Sequence, residues 1–307
     1  MAGIVIAFYI IFDIITHGKL LTFKNIENII YDTVFPCFVV WGMLFIYSTG
    51  IVDLSIGATI IFASNVGALL VVFFGWGYLG LIVPTVLSAV VLELVMVLCT
   101  VFLHVSSWVA SLGLLMVFES ACTTGLSLLP MLKGTNLIDL GKNCRIFINF
   151  QAMVIAWIIG MAVVYFLFER TSLSFNMQAV GDNPGVAAAM GINVKKTMLL
   201  SAVVGAVFIG VGSFINLSHL GVVIPASGLS SLGTIFQPLA IMMLAASFSR
   251  VVNRTVGVFI GAFVVESLFN ALTILGVPGD TWQNVVLGVL VISCGVLANL
   301  RFKGVVK

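Results

Sequence analysis

Glu93, Glu119 and Glu266 stand inside runs that are otherwise apolar, and Asp53 stands at a break between two such runs. An ionisable side chain at membrane depth is costly, so each must line a path, meet a partner or carry a proton. Asp53 lies three residues after Gly50, at a break between two apolar runs. With Ser55 it can cap the helix that follows by accepting its free backbone N–H groups. It can equally hold a broken-helix elbow beside a translocation path, where polar backbone is tolerated only if it lines a cavity. Glu119 belongs to a semi-polar run with Ser111, Ser120, Thr123 and Thr124, and with Ser111 it is a candidate to line the path. Glu266 follows Gly257 and Gly261, a pair of small residues that lets two helices approach closely. Glu93 has no evident partner in the sequence. Asn65 either bonds across helices or touches a solute.

The chemistry of enzymes is missing. The chain has no G-x-x-x-x-G-K-[ST] loop to cradle ATP phosphates, no H-E-x-x-H and no G-x-S-x-G elbow. His104 and His219 have no metal-ligand spacing around them, so no metal site is expected. The five cysteines, Cys37, Cys99, Cys122, Cys144 and Cys294, have no pair spacing and read as small buried hydrophobes. The chain is not expected to be an enzyme.

These residues must be held by membrane helices. The 307 residues are 61% hydrophobic and 8% charged, with a mean hydropathy of +1.26. A soluble domain carries about 25% charged residues, so a water-facing surface cannot be built from this chain. A span needs roughly 20 mostly apolar residues. Ten stretches qualify, at about 2–16, 33–50, 56–75, 78–102, 107–127, 151–168, 197–217, 232–249, 255–274 and 284–300. The eighth contains Pro238 after a GLSSLG lead, so it is expected to be broken or partly re-entrant. The first lacks a basic lead and a small-residue cleavage site, so it reads as a retained span. The expected fold is all-α and polytopic, with about ten transmembrane helices, in one domain over 1–307. With both termini on one side, that side holds eight Lys and Arg against five. The excess places both termini in the cytoplasm.

One stretch departs from this pattern: AVGDNPGVAAAMGINVKK, residues 179–196. Asp182 or Asn183 can cap a helix. Pro184 suits its first position, the alanines favour helix, and Gly191 can end it in the left-handed conformation. A helix of about two turns is expected on the cytoplasmic face, before the pair Lys195–Lys196. Its exposed face should present Val186, Ala187, Met190 and Ile192. It either lies on the membrane surface or docks into a partner.

The same stretch resembles the cytoplasmic coupling segment of the ribose-type sugar permeases of ATP-binding cassette importers. STGIVDLSIGATI, residues 48–60, is similar to that family's Gly-Gly-Ile-Asp-Leu-Ser-Val-Gly signature. WVASLG, residues 108–113, resembles its Phe-Ile-Ala-Thr-Leu-Gly, and GVFIGAFVVESLFNALTILGV, residues 257–277, its Gly-x-x-x-Gly-Ala span. The resemblance implies a pair of permease chains, two cytoplasmic ATPase domains carrying ATP and Mg, and an extracytoplasmic solute-binding protein. It implies a bacterial inner membrane and a sugar or similar small polar solute, and it makes 179–196 the coupling segment, with the helix near 183–191 as the coupling helix and Asp182, Asn183, Pro184, Val186, Ala187, Met190, Gly191 and Ile192 as the coupling residues. Nucleosides and autoinducer-type furanoses use permeases of the same kind. No nucleic acid and no cofactor in this chain are expected.

The chain departs from the family pattern at Ile51, Met96–Val97, Glu119–Ser120, Ile235-Phe236-Gln237 and Ala245–Ala246. Such erosion fits one half of a heterodimer whose partner keeps the pattern; a homodimer stays open. An ion-coupled secondary transporter is the competing function. It would need carboxylates at unwound helices near the midplane, and it would transport without ATP.

Overall fold

The computed structural model describes residues 9–10, 12–128, 137–142, 144–249, 252–277 and 279–299. Most of the first expected span lies outside them, although residues 12–15 are helical. So do Lys133, Arg250, Arg301, Lys303 and Lys307.

Each of the other nine expected spans is a helix. They are α1 (Phe23–Tyr47), α2 (Ile56–Phe74), α3 (Gly77–Phe102), α4 (Ser107–Ser127), α5 (Phe150–Arg170), α8 (Val194–Leu220), α9 (Leu232–Phe248), α10 (Arg254–Ile274) and α11 (Gly279–Asn299). Between α5 and α8 stand two short helices, α6 (Ser172–Asp182) and α7 (Pro184–Ala189). Seven of the nine are long and apolar enough to cross a membrane, and α9 and residues Trp282–Ser293 of α11 are shorter apolar helices. The fold is all-α and polytopic.

Two boundaries differ from the sequence reading. Helix α1 starts ten residues before the expected span, because its first turns, FKNIENIIYD, are polar. Hydropathy marks the apolar middle of a helix and misses a polar extension. Helix α9 runs unbroken through Pro238. The break precedes it, in the turn 228–231, where Leu229 takes φ 66°.

The chain forms two compact units, one of residues Phe38–Ile235 and one of Met1–Cys37 with Phe236–Lys307. In the first, α3 packs along both α2 and α8, and α2 also meets α4 and α8. The C-terminal part of α1 crosses α8 where Gly42 faces Gly205; a Cβ on Gly205 would lie 2.7 Å from the Gly42 carbonyl oxygen. Around this crossing Phe45 stacks on Phe208 at 5.7 Å and meets Phe168 edge-on at 5.5 Å. With little hydrophobic drive between helices in lipid, such close backbone approach and ring packing hold the bundle. Helix α5 has only 17% of its apolar window buried, and Ile155, Ile158, Ile159 and Phe166 are exposed.

At one end of this unit, residues 138–139 (β1) pair antiparallel with residues 222–223 (β2), Ile138 opposite Val223. The Arg145 guanidinium donates to the carbonyls of His219 and Leu220, at 2.7 and 3.0 Å, where α8 ends at Gly221. A cation there satisfies orphan carbonyls and suits the helix dipole. Arg145 therefore serves a helix end, a use that the loop charge count does not register. Burial pushes the Cys144 thiol beside it up from its ordinary range, which fits an inert cysteine.

In the second unit α10 packs on α11. Gly257 and Gly261 lie against α9, where added Cβ atoms would meet the carbonyl oxygens of Ala245 at 3.2 Å and Ile241 at 3.1 Å. Three polar pairs tie this unit together: Gln237 Nε2 donates to Glu266 Oε1, Asn25 Nδ2 to Asn270 Oδ1 at 2.7 Å, and Tyr9 Oη meets Ser267 Oγ at 2.9 Å.

Candidate functional site

Two polar constructions in the first unit hold most of the residues singled out by sequence, while Gly257, Gly261 and Glu266 belong to the second unit. One is buried, and the other is exposed.

The exposed one is the arm formed by α6, α7 and the turn into α8. Asn183 rather than Asp182 is the cap. Its Oδ1 accepts from the backbone N–H of Gly185 at 3.0 Å and Val186 at 3.1 Å, with Pro184 at the first helical position. Gly191 takes φ 86°, and the Ile192 N–H closes on the Ala187 carbonyl at 3.0 Å. Asn193 then caps α8 by accepting from the Lys196 N–H at 3.0 Å. Val186 and Met190 are 55% and 75% exposed. Ile192 is half-buried. Ala187 does not share the exposed face: it is 1% exposed, because it is the one side chain of α7 that faces inward.

Most of helix α6 lies between the spans and the 179–196 segment read from the sequence, where no element was expected. Its buried residues Ser174, Met177 and Val180 recur every three positions, a stripe on one helix face. That period was present in SLSFNMQAV, diluted by its polar residues. Helix α6 ends against the turn after α1. Gly181 has no room for a Cβ there, since the Ser48 carbonyl and the Gly50 amide fill the space. The arm thus rests on residues 48–50. Across the same face, the Lys195 ammonium sits 5.0 Å from the centroid of the Phe102 ring, at the end of α3, a cation–π contact.

The buried construction starts three residues beyond Gly50. Residues 51–55 are non-helical and lead into α2. Asp53 Oδ1 accepts from the Ser55 N–H at 2.7 Å and the Ser55 hydroxyl at 2.6 Å. Tyr47 donates its hydroxyl to the Asp53 carbonyl at 2.7 Å, and the Val52 N–H reaches Ser107 Oγ, at the start of α4, at 3.3 Å. Asp53 and Ser55 are both fully buried. Asp53 therefore folds the elbow locally, and the Ser55 side chain makes no capping bond of its own.

The elbow is set back from the arm-side end of α3. Helix α3 has 26 residues against 19 for α2, and the two are antiparallel neighbours. At 1.5 Å per residue, α2 begins about 10 Å deeper than the arm-side end of α3. Glu93, nine residues before Phe102, is about 14 Å from that end. It faces Asp53 and is itself fully buried, with Thr59 beside it. Sequence gave Glu93 no partner because this pair is forty residues apart and crosses from an elbow to a helix.

Glu119 makes the third buried contact. Its two carboxylate oxygens accept from the Leu229 N–H at 2.9 Å and the Ser231 N–H at 2.8 Å. It holds the strained turn that leads into α9. The Ser231 carbonyl in turn presses on Gly57, which has no room for a Cβ. One carboxylate on α4 thus fixes a turn that packs on the first turn of α2. Below it Ala58, Leu92, Leu115 and Phe118 form an apolar cluster.

Asn65 donates to the Ile61 carbonyl at 2.8 Å, and its Oδ1 has no donor. It lines a cavity of about 150 Å³ with Phe62 and Cys122, between α2 and α4. Ser111 is buried and donates back to the Trp108 carbonyl at 3.2 Å. The structure brings Asp53, Ser55 and Glu93 together around one elbow, and sets Glu119, Asn65 and Ser111 on its flanks. Tyr47, Thr59 and Ser107 join the site unannounced by sequence, because hydroxyls inside helices carry no pattern.

Among the described residues no group of three or more histidine, cysteine, aspartate or glutamate side chains could hold a metal. The family described as "Branched-chain amino acid transport system / permease component" matches residues 25–294. The chain belongs to that family. It is 27% identical to the galactose/methyl galactoside import permease protein MglC of Escherichia coli K12 over 168 residues, 54% of this chain and 47% of that protein. It is 22% identical to the xylose transport system permease protein XylH of E. coli K12 over 352 residues, 95% of this chain and 89% of that protein. The match to XylH of Haemophilus influenzae is 31% over 141 residues, 46% of this chain and 36% of that protein. The chain thus spans about half or less of two of these relatives and most of the third. They are transport permeases rather than enzymes. No solved structure matches the chain.

Proposed function

We propose that this chain is a permease subunit of an ATP-binding cassette importer, forming half of the path for a sugar or similar small polar solute. Two such chains, of one or two kinds, span the bacterial inner membrane with both termini in the cytoplasm. Two cytoplasmic ATPase domains bind and hydrolyse MgATP, and an extracytoplasmic binding protein delivers the solute. The import permeases for galactosides and xylose among its relatives support the solute class.

The arm carries this reading. A short helix capped by Asn183 stands at the membrane face with Val186 and Met190 exposed. An exposed apolar pair on a rigid, self-capped helix is a docking surface rather than a loose connection. Its base at Gly181 rests on the turn that leads to the Asp53 elbow, so a push on the arm reaches the buried joint through packed backbone.

Deletion of residues 184–190, or Gly191→Pro, tests the proposal. Uptake by cells carrying the complete importer should be abolished, while the chain still inserts and purifies from the membrane. Normal uptake in either variant would overturn it.

A further inference from the structure

The unexplained feature of the molecule is the meeting of Asp53 and Glu93. Both are fully buried, and they face each other. None of the groups acting on either one is a cation. The lysines and arginines described in this unit are engaged or distant: Arg145 on the end of α8, Lys195 on Phe102, Lys196, Arg170 and Lys142 at the faces. Written as carboxylates, the pair leaves Asp53 Oδ2 and both Glu93 oxygens without a donor. Thr59 Oγ1, also fully buried and beside Glu93, has no hydrogen bond of normal geometry either.

Two carboxylates in contact cannot both stay ionised away from water. Something positive must sit between them. A hard metal ion wants six or more oxygens, and the site offers two carboxyls and one hydroxyl. A carboxyl–carboxyl hydrogen bond needs one hydrogen and no added space. We propose that Asp53 and Glu93 form a proton-binding site at membrane depth, with one proton shared between Asp53 Oδ2 and a Glu93 carboxyl oxygen, and that its loss releases the 51–55 elbow.

The neighbouring groups define what releases it. From α1, Tyr47 faces the pair, but its hydroxyl is committed to the Asp53 carbonyl. From α4, Glu119 is held by two backbone N–H groups, and Ser107 bonds to Val52. From α8, Lys195, Lys196 and His219 lie at the two ends of the helix. Among the described residues, no second base competes for the proton. Raising the pH sends it to water, leaves two like charges in contact, and drives residues 51–55 away from α3. The turn 48–50 that supports the arm lies at the start of that elbow, so the arm loosens with it. This site would be present whatever the solute, so the proposal does not rest on the importer reading.

Infrared spectroscopy of the full chain in lipid bilayers tests it. The wild type should show a carboxylic-acid C=O band at pH 7 that Glu93→Gln removes, and that Asp53→Asn, a second variant of unchanged shape, shifts in frequency because the partner oxygen of the shared proton is replaced. Hydrogen exchange of peptides covering 49–56 should rise steeply at alkaline pH in the wild type, beyond the intrinsic pH effect. In Glu93→Gln, whose amide can donate to Asp53 Oδ2 permanently, it should not. A spectrum unchanged by both substitutions would overturn the proposal. So would loss of the band at constant pH on adding sodium, which would assign the site to a metal cation instead.

Discussion

The arm and the elbow use one device in two solvents. In each, a side-chain oxygen accepts the backbone N–H two residues later: Asn183 Oδ1 from Gly185, and Asp53 Oδ1 from Ser55. In the arm the cap is exposed, and so are its neighbours Val186 and Met190. In the elbow the carboxylate is fully buried, and its free oxygen has nowhere to turn except Glu93. The same turn chemistry is therefore cheap and replaceable at the surface, and binding on its surroundings inside the bilayer. Changes at the elbow should propagate; changes at the arm should stay local and act only through a partner.

The largest effect should come from the joint between them. Gly181→Leu would drive a side chain into the Ser48 carbonyl and the Gly50 amide. Overpacking a tight site costs typically 1–3 kcal/mol or more, so the melting temperature in detergent should fall sharply. An unchanged melting temperature would show that the arm does not rest on residues 48–50. Next is Glu119→Ala, which strands the Leu229 and Ser231 N–H groups. The Ser231 N–H is buried, and leaving it unsatisfied costs about 1–3 kcal/mol, while the Leu229 N–H lies nearer the surface. Hydrogen exchange should rise at 227–232 before any other part of the first unit.

Tyr47→Phe removes one hydrogen bond to the Asp53 carbonyl, worth about 1 kcal/mol. It should lower the melting temperature slightly and speed exchange across 51–55. Asn183→Ala should be the mildest. Losing an exposed cap costs about 1 kcal/mol locally, and because α7 buries only Ala187, melting should not change. Uptake should drop all the same, since a frayed α7 presents Val186 and Met190 poorly. If Asn183→Ala melts earlier than Tyr47→Phe, the contrast between the two regions is wrong.

The arm was legible in the sequence because its signals are local. A cap residue, a proline, alanines and a glycine within ten positions specify the helix 184–189 without help from the rest of the chain. The spans were legible because bilayer thickness imposes a length on apolar runs. The elbow was legible only as a place: Asp53 and Ser55 announced a break, and nothing near them named Glu93. Its partner arrives from α3 through helix packing, and so does the Glu119 contact with residues 229 and 231. Helix α6 was missed because a short helix half-sunk in its own protein has neither the length of a span nor the alternation of a charged surface helix. Ala187 was misplaced because α7 turns it toward the interior, which is set by tertiary packing.

The central claim is that the arm is where a separate ATPase subunit engages this permease. A photoreactive amino acid placed at position 190, and in a parallel sample at position 187, should be activated in native membranes, and the crosslinked products identified. The account predicts a cassette ATPase attached through position 190, where the side chain is 75% exposed, and little or none through position 187, where it is 1% exposed. Crosslinks from position 190 to lipid alone, in membranes where the chain transports, would contradict it.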